Sequence, residues 1–254
     1  MFRLVDAHAH LEDISDLEGA IRRAADAGVV AIITAGSDHH SCRFALNVSK
    51  KESYGLAIFP ALGIHPWSLN KEEIEPTLSF IESNIKEAVS IGEVGLDYWY
   101  REVRKDPEKK RLQQDLFRSF LDMAKRYDKP IIIHSRGAWK DSVEMTAEAE
   151  VRNAVFHWFT GPDDTLRKLL EHGYFVSATP AAEYSKEHRS VIEKTPLENL
   201  LLETDSPVNY RGIEAEPAHL VKSLSAVAKL KEMAENRVAE ETTENASRLF
   251  RLSI

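Results

Sequence analysis

The sequence predicts a closed (β/α)8 barrel, an α/β fold of eight parallel strands with an extra C-terminal helix. Three observations carry that expectation. Short, near-continuously apolar runs alternate with amphipathic segments, as strands buried on both faces between covering helices require. The 254 residues accommodate eight such units as one domain spanning 1–254, with no linker, low-complexity tract or internal repeat. No glycine-rich dinucleotide fingerprint follows a strand, which favours the barrel over a doubly wound sheet.

In chain order, Leu4–His10 is the first strand, and its alternation sets Asp6, His8 and His10 on one face. Ser15–Gly28 is a helix with Leu17, Ala20, Ile21 and Ala24 at helical spacing, ended by Gly28. The β-branched run Val29–Ala35 is the second strand, followed by a helix near His40–Lys51. Leu56–Gly63 and Val89–Glu93 are the third and fourth strands, separated by a helix over Lys71–Ala88. Asp106-Pro107 opens a long helix to Tyr127, striped by Leu112, Leu116, Phe120 and Met123. Pro130–His134, Asn153–His157, Tyr174–Ala178 and Asn199–Glu203 are strands five to eight. Helices over Trp139–Ala149, Pro162–His172 and Ser185–Lys194 connect them, and helices over Glu216–Glu232 and Asn236–Arg251 finish the chain.

Composition excludes several classes. The apolar and charged fractions are those of an ordinary soluble protein, and no run approaches the roughly 20 apolar residues of a membrane helix. The opening MFRLVDAHAH does not read as a signal peptide, because histidines and an aspartate interrupt it. A single cysteine, Cys42, leaves no internal disulfide and points to the cytoplasm. The net charge of −8 argues against coating nucleic acid with the whole surface, while leaving room for a local phosphate pocket. No protein partner is implied.

In a barrel, active residues sit where strands end and βα loops begin. His8 and His10 close the first strand, His65 the third, Glu93 the fourth, His134 the fifth and His157 the sixth, while Asp205 stands just past the eighth. A lone strand-end histidine is ordinarily structural; convergence of several on one rim points to metal. Imidazoles with carboxylates suit zinc, manganese or iron, and magnesium accepts the carboxylates. Glu93, midway in strand order, is the candidate bridge between two divalent ions. One ion is assigned to His8, His10, Glu93 and Asp205, the other to Glu93, His134 and His157.

The segments VDAHAHLED, GIHP, GEVGLDY, IIIHSRGA, HWFTG, LLETDSP and NASRLF, spread from Val5 to Phe250, resemble the TatD family of metal-dependent deoxyribonucleases within the amidohydrolase-like barrels. The resemblance implies two-metal activation of water for phosphodiester cleavage, with the same ligands and Asp205, Glu93 and His65 catalytic. It further implies that His65 contacts substrate phosphate rather than metal, and that Arg136 faces the phosphate backbone. Trp158, Val208 and Trp67 depart from residues common in the family, which bears on substrate choice and not on the ligands.

All four tryptophans follow strand-end motifs on the loop side. Trp67 and Trp99 are the candidates for stacking on the bases of a single-stranded DNA substrate, although aromatics there also serve to pack loops. Arg101, Arg104 and Lys105 form a basic group suited to solvated surface or to a strand backbone. Asp97 is expected to organise the fourth loop, and His39, His40, His172, His188 and His219 to be structural. The rival function is hydrolysis at a carbonyl by an amidase, lactonase or aminoacyl-tRNA deacylase; glutamate rather than a modified lysine at position 93 weighs against it. A non-catalytic barrel would be expected to have lost a ligand.

Overall fold

The computed structural model describes residues 2–51 and 55–254. Eight parallel strands follow one another around the sheet in sequence order: β1 (Leu4–Ala9), β2 (Val29–Ala35), β3 (Ala57–Leu62), β4 (Ser90–Gly95), β5 (Ile131–His134), β6 (Ala154–Phe156), β7 (Phe175–Ala178) and β8 (Leu200–Leu202). The seam between β8 and β1 is closed partly by side chains. Asp205 N–H donates to the His8 carbonyl at 3.0 Å, and His10 N–H to the Ser206 carbonyl at 2.7 Å. Asp6 accepts both the Thr204 N–H, at 2.9 Å, and the Thr204 hydroxyl, at 2.6 Å. Asp6, expected on the face of His8 and His10, is therefore spent on the seam. A register shift follows it in β1, between Asp6 and Ala9.

The helices are α1 (Leu17–Asp26), α2 (His39–Val48), α3 (Lys71–Asn84), α4 (Arg101–Arg104), α5 (Pro107–Tyr127), α6 (Trp139–Glu148), α7 (Asp163–Glu171), α8 (Lys186–Lys194), α9 (Leu220–Lys231) and α10 (Glu235–Phe250). Local chemistry sets their ends. Asp106 caps α5 by accepting from Glu108 and Lys109 N–H, Pro107 enters the first turn, and Asp128 leaves in the left-handed region. Asp38 and Ser41 form a reciprocal capping box on α2. Strand and helix positions match the sequence expectation to within a few residues. The short α4 and the hairpin of β9 (Asn209–Tyr210) and β10 (Ile213–Glu214) were not foreseen, since elements of four and two residues carry no periodicity.

Between sheet and helices lies the larger apolar core, with Ile32, Ile91, Ile133, Phe117, Phe120 and Phe156 fully or almost fully buried. A second cluster, including Val5, Ile33, Ile132, Val155 and Leu201, packs against Leu249 and Phe250 of α10. The Thr243 hydroxyl binds the Arg3 carbonyl and Asn245 binds those of Leu197 and Leu200, so α10 covers the strand N-termini. The opposite mouth is left to the functional loops. No helix among the described residues is long and apolar enough to cross a membrane.

One structural histidine makes stability pH-dependent. His188 of α8 is buried, accepts the Thr179 N–H at Nε2, and places Nδ1 3.2 Å from the Phe159 carbonyl, so it is held neutral with the proton on Nδ1. Burial pushes its pKa down from 6.5 to about 4. The unfolded chain takes up a proton near 6.5 that the folded chain refuses down to about 4. Stability therefore falls as pH drops through that window, by on the order of 3 kcal/mol. Urea unfolding of wild type and His188→Gln should show their stability difference shrinking by about that amount between pH 7 and pH 4; a pH-independent difference would contradict it.

Candidate active site

Glu93 reaches the mouth because β4 is bulged. Ile91 pairs with Ile131 and Val94 with Ile133, so three steps on β4 oppose two on β5, and Gly92 and Glu93 fall in the irregularity. Glycine is required on both sides. Gly92 and Gly95 have φ of +146° and +138°, and a Cβ on Gly95 would overlap the His134 carbonyl oxygen. The β1 irregularity lies at His8. Both bulges thus turn site residues inward, next to the chemistry.

The carboxylate of Glu93 divides the histidines into two sets. Its Oε2 lies 3.3 Å from His8 Nε2 and 3.2 Å from His10 Nε2. Its Oε1 lies 2.8 Å from both His134 Nδ1 and His157 Nε2, and 3.4 Å from His65 Nε2. Asp205 Oδ1 stands 3.4 Å from His8 Nε2 and 3.8 Å from His10 Nε2. His157 also joins His8 and Asp205 in a triangle of ligand atoms within 4.8 Å of one another. All the residues placed at the rim from the sequence meet in this one buried volume.

The outer partners of the imidazoles decide what each presents to it. His10 Nδ1 faces the Ala35 carbonyl at 3.2 Å, which places the proton there and leaves the Nε2 lone pair on the site. His134 Nε2 faces Asp97 Oδ2 at 2.9 Å, so its Nδ1 lone pair points to Glu93. His157 Nδ1 lies 3.5 Å from Glu203 Oε1, a carboxylate that favours the proton on that side and frees Nε2. His65 is the opposite case. Its Nδ1 accepts the Trp67 backbone N–H at 3.1 Å, so the proton of the neutral ring sits on Nε2 and faces the site as a donor. Burial holds that ring neutral, with its pKa pushed down to about 4. Of the five imidazoles, three are thus turned towards a cation and His65 is not, while His8 Nδ1 is buried with no hydrogen-bond partner.

The electrostatics call for added positive charge. Burial alone would raise the pKa of Glu93 and of Asp205, yet the surrounding histidines hold both below the ordinary carboxylate range, Glu93 well below it. Conversely, burial would lower His8 and His157, but the facing carboxylates raise both, His8 to about 10. In the site as it stands the protonated imidazoles answer the carboxylates; a dense set of imidazole and carboxylate donors whose protons a bound cation would displace fits divalent metal.

Two acidic residues complete the site. Asp97 takes His134 Nε2–H, Trp67 Nε1–H at 2.9 Å and Arg136 Nε–H at 3.0 Å on Oδ2, and the Trp99 N–H at 2.9 Å on Oδ1. Burial would raise its pKa, but these donors hold it at about 2. Its role in organising the fourth loop therefore extends to orienting a prospective ligand. Glu203 was missed by sequence reasoning. Buried, it accepts the Trp158 N–H at 2.9 Å beside His157; its signal was a charged residue directly after the all-leucine strand β8.

The other expected residues are distributed unequally. Arg136 is anchored on Asp97, and Trp67 and Trp99 stand exposed at the rim. Trp139 packs on the core, and Trp158 packs on Tyr210 with ring centroids 5.5 Å apart. Arg101, Arg104 and Lys105 are exposed, and Arg211 lies 4.0 Å over the Tyr184 ring.

Comparison with known proteins shows the family. The model of the TatD related DNase family matches residues 5–251. The chain is 33% identical to the uncharacterized metal-dependent hydrolase YabD of Bacillus subtilis, over 98% of this chain and 100% of that one. It is 30% identical to the human deoxyribonuclease TATDN3, over 97% and 94% of the two chains. The crystal structure of YJJV, a TatD homolog from Escherichia coli, superposes with a TM-score of 0.88 at 27% identity, covering 99% of each chain. The carbonyl-hydrolase alternative is not favoured. The chain belongs to the TatD-related family of metal-dependent hydrolases.

Proposed function

We propose that the chain is a deoxyribonuclease that hydrolyses phosphodiester bonds of DNA with two divalent ions, magnesium, manganese or zinc, held on the two sides of Glu93. His8, His10, Glu93 and Asp205 would hold one, and Glu93, His134 and His157 the other. The observation that carries the reading is the division of outer partners: His10, His134 and His157 face the Ala35 carbonyl and the carboxylates of Asp97 and Glu203, which leaves their inner nitrogens to a cation, while His65 accepts the Trp67 N–H and turns in an N–H. A site for cations and a donor for an anion stand side by side, as a phosphodiester requires. The relatives named deoxyribonucleases support DNA as that substrate.

Bound divalent ions supply Lewis-acid stabilisation of a phosphoryl oxygen and lower the pKa of water towards neutrality. The protein's own groups do the rest. Asp205, kept ionised, orients the attacking water and accepts its proton. His65 donates Nε2–H to a non-bridging phosphate oxygen, and Arg136, fixed by Asp97, adds positive charge at the same rim. With a net charge of −8, recognition falls to this rim rather than to the whole surface. Buried Cys42, hydrogen-bonded to the Gly63 carbonyl, is compatible with a reducing compartment such as the cytoplasm.

Labelled single- and double-stranded DNA incubated with magnesium, manganese or zinc tests this directly. Cleavage that stops on chelation is expected, and turnover confined to ester and amide panels would overturn it. In the same assay His65→Ala should lower turnover about 100-fold with unchanged metal content. Loss of an ion would instead make His65 a ligand.

A further inference from the structure

Among the described residues five large apolar side chains are exposed, and three of them cluster at one edge of the active site: Trp67 at 54%, Trp99 at 60% and Tyr100 at 39%. Packing beneath the loops does not account for them, since Trp139 and Trp158 show what packed tryptophans of this rim look like. Trp67 and Tyr100 meet edge to face, with ring centroids 5.4 Å apart and planes at 72°. The Arg136 guanidinium carbon lies 5.0 Å from the Trp67 ring and 4.9 Å from the Tyr100 ring, so one cation serves both. Arg136 Nη2 is enclosed without a hydrogen-bond partner. Asp97 fastens Trp67 Nε1 and Arg136 Nε together, which makes the pair a fixed platform rather than two loose side chains.

The platform adjoins the reacting centre. The Trp67 ring centroid is 4.7 Å from that of His65 and 6.0 Å from that of His134. A phosphate held by His65 would have the remainder of its own nucleotide within reach of these rings.

We infer that Trp67 and Tyr100, backed by Arg136, form a stacking slot for one unpaired nucleobase flanking the scissile phosphate. A paired base inside a duplex exposes no free face to such rings, so the slot selects single strands and frayed ends. Aromatic stacking tolerates any base, and its usual strength corresponds to roughly ten- to a hundredfold in affinity. This inference rests on the phosphodiesterase reading above, and its test separates the two.

Oligothymidylate is compared with the same strand built from 5,6-dihydrothymidine, whose saturated ring keeps the hydrogen-bonding edge and loses the flat face. Binding is measured by anisotropy on slowly hydrolysed phosphorothioate forms in manganese, and turnover on the ordinary diesters. Wild type should bind and cleave the thymidine strand at least about tenfold better. Trp67→Phe, which keeps a ring but loses the N–H to Asp97, should retain the preference, whereas Trp67→Leu and Tyr100→Leu should erase it. Equal handling of both strands by wild type would overturn the slot. So would leucine variants that weaken both strands alike, since that marks a packing role. A binding preference without hydrolysis in any metal leaves the slot standing and removes the phosphodiesterase reading. Equal hydrolysis of both strands does the reverse.

Discussion

Glu93→Gln is expected to lower turnover by at least about 10³-fold while the barrel stays folded. The substitution preserves shape and removes charge. It acts where a single carboxylate meets two groups of nitrogen donors, His8 and His10 at one oxygen and His134 and His157 at the other. A neutral amide offers one carbonyl oxygen and a nitrogen that cannot ligate, so one side of the pair loses its anionic donor. Bound metal measured after dialysis should fall from two ions per chain to one or none, with the barrel still folded by circular dichroism. Near-normal turnover with both ions retained would exclude Glu93 as the bridge.

Asp97→Asn is expected to cost about 10- to 100-fold in metal affinity or turnover. The Asp97 carboxylate accepts from four donors: His134 Nε2–H, Trp67 Nε1–H, Arg136 Nε–H and the Trp99 N–H. An asparagine would set its own NH2 against some of them, leaving buried N–H groups facing one another. His134 would then lose the partner that keeps its Nδ1 lone pair on the site. The third, fourth and fifth loops, which meet at this one side chain, would lose their common anchor. Metal titration monitored alongside turnover checks this; an unchanged metal affinity would show that His134 needs no help from Asp97.

Much of this was legible in the sequence because it depends on order along the chain. Eight apolar runs at helix-separated intervals specify a parallel barrel, and a barrel brings its strand ends to one mouth whatever their separation. That is why His8, Glu93, His157 and Asp205, spread over two hundred residues, could be placed together. What depends on pairing was not legible. The register shifts in β1 and β4 arise from which residues meet across strands, as does the diversion of Asp6 to Thr204, and neither could be read from alternation alone. Nor could the reach of Asp97, because Trp67 lies thirty residues before it and Arg136 thirty-nine after. The histidine tautomers are likewise tertiary facts, set by the Ala35 carbonyl for His10 and by the Trp67 N–H for His65. Glu203 shows the remaining gap. A charge at the end of an all-leucine strand is costly to bury without partners, and that cost was its only sequence signal.

In the proposed function Glu93 joins two metal ions. Anomalous diffraction from crystals grown with manganese tests it most directly. Two peaks about 3.5–4 Å apart, one on each side of the Glu93 carboxylate and each in contact with one of its oxygens, are the expected result. A single peak, or two peaks of which one is out of reach of Glu93, would contradict it.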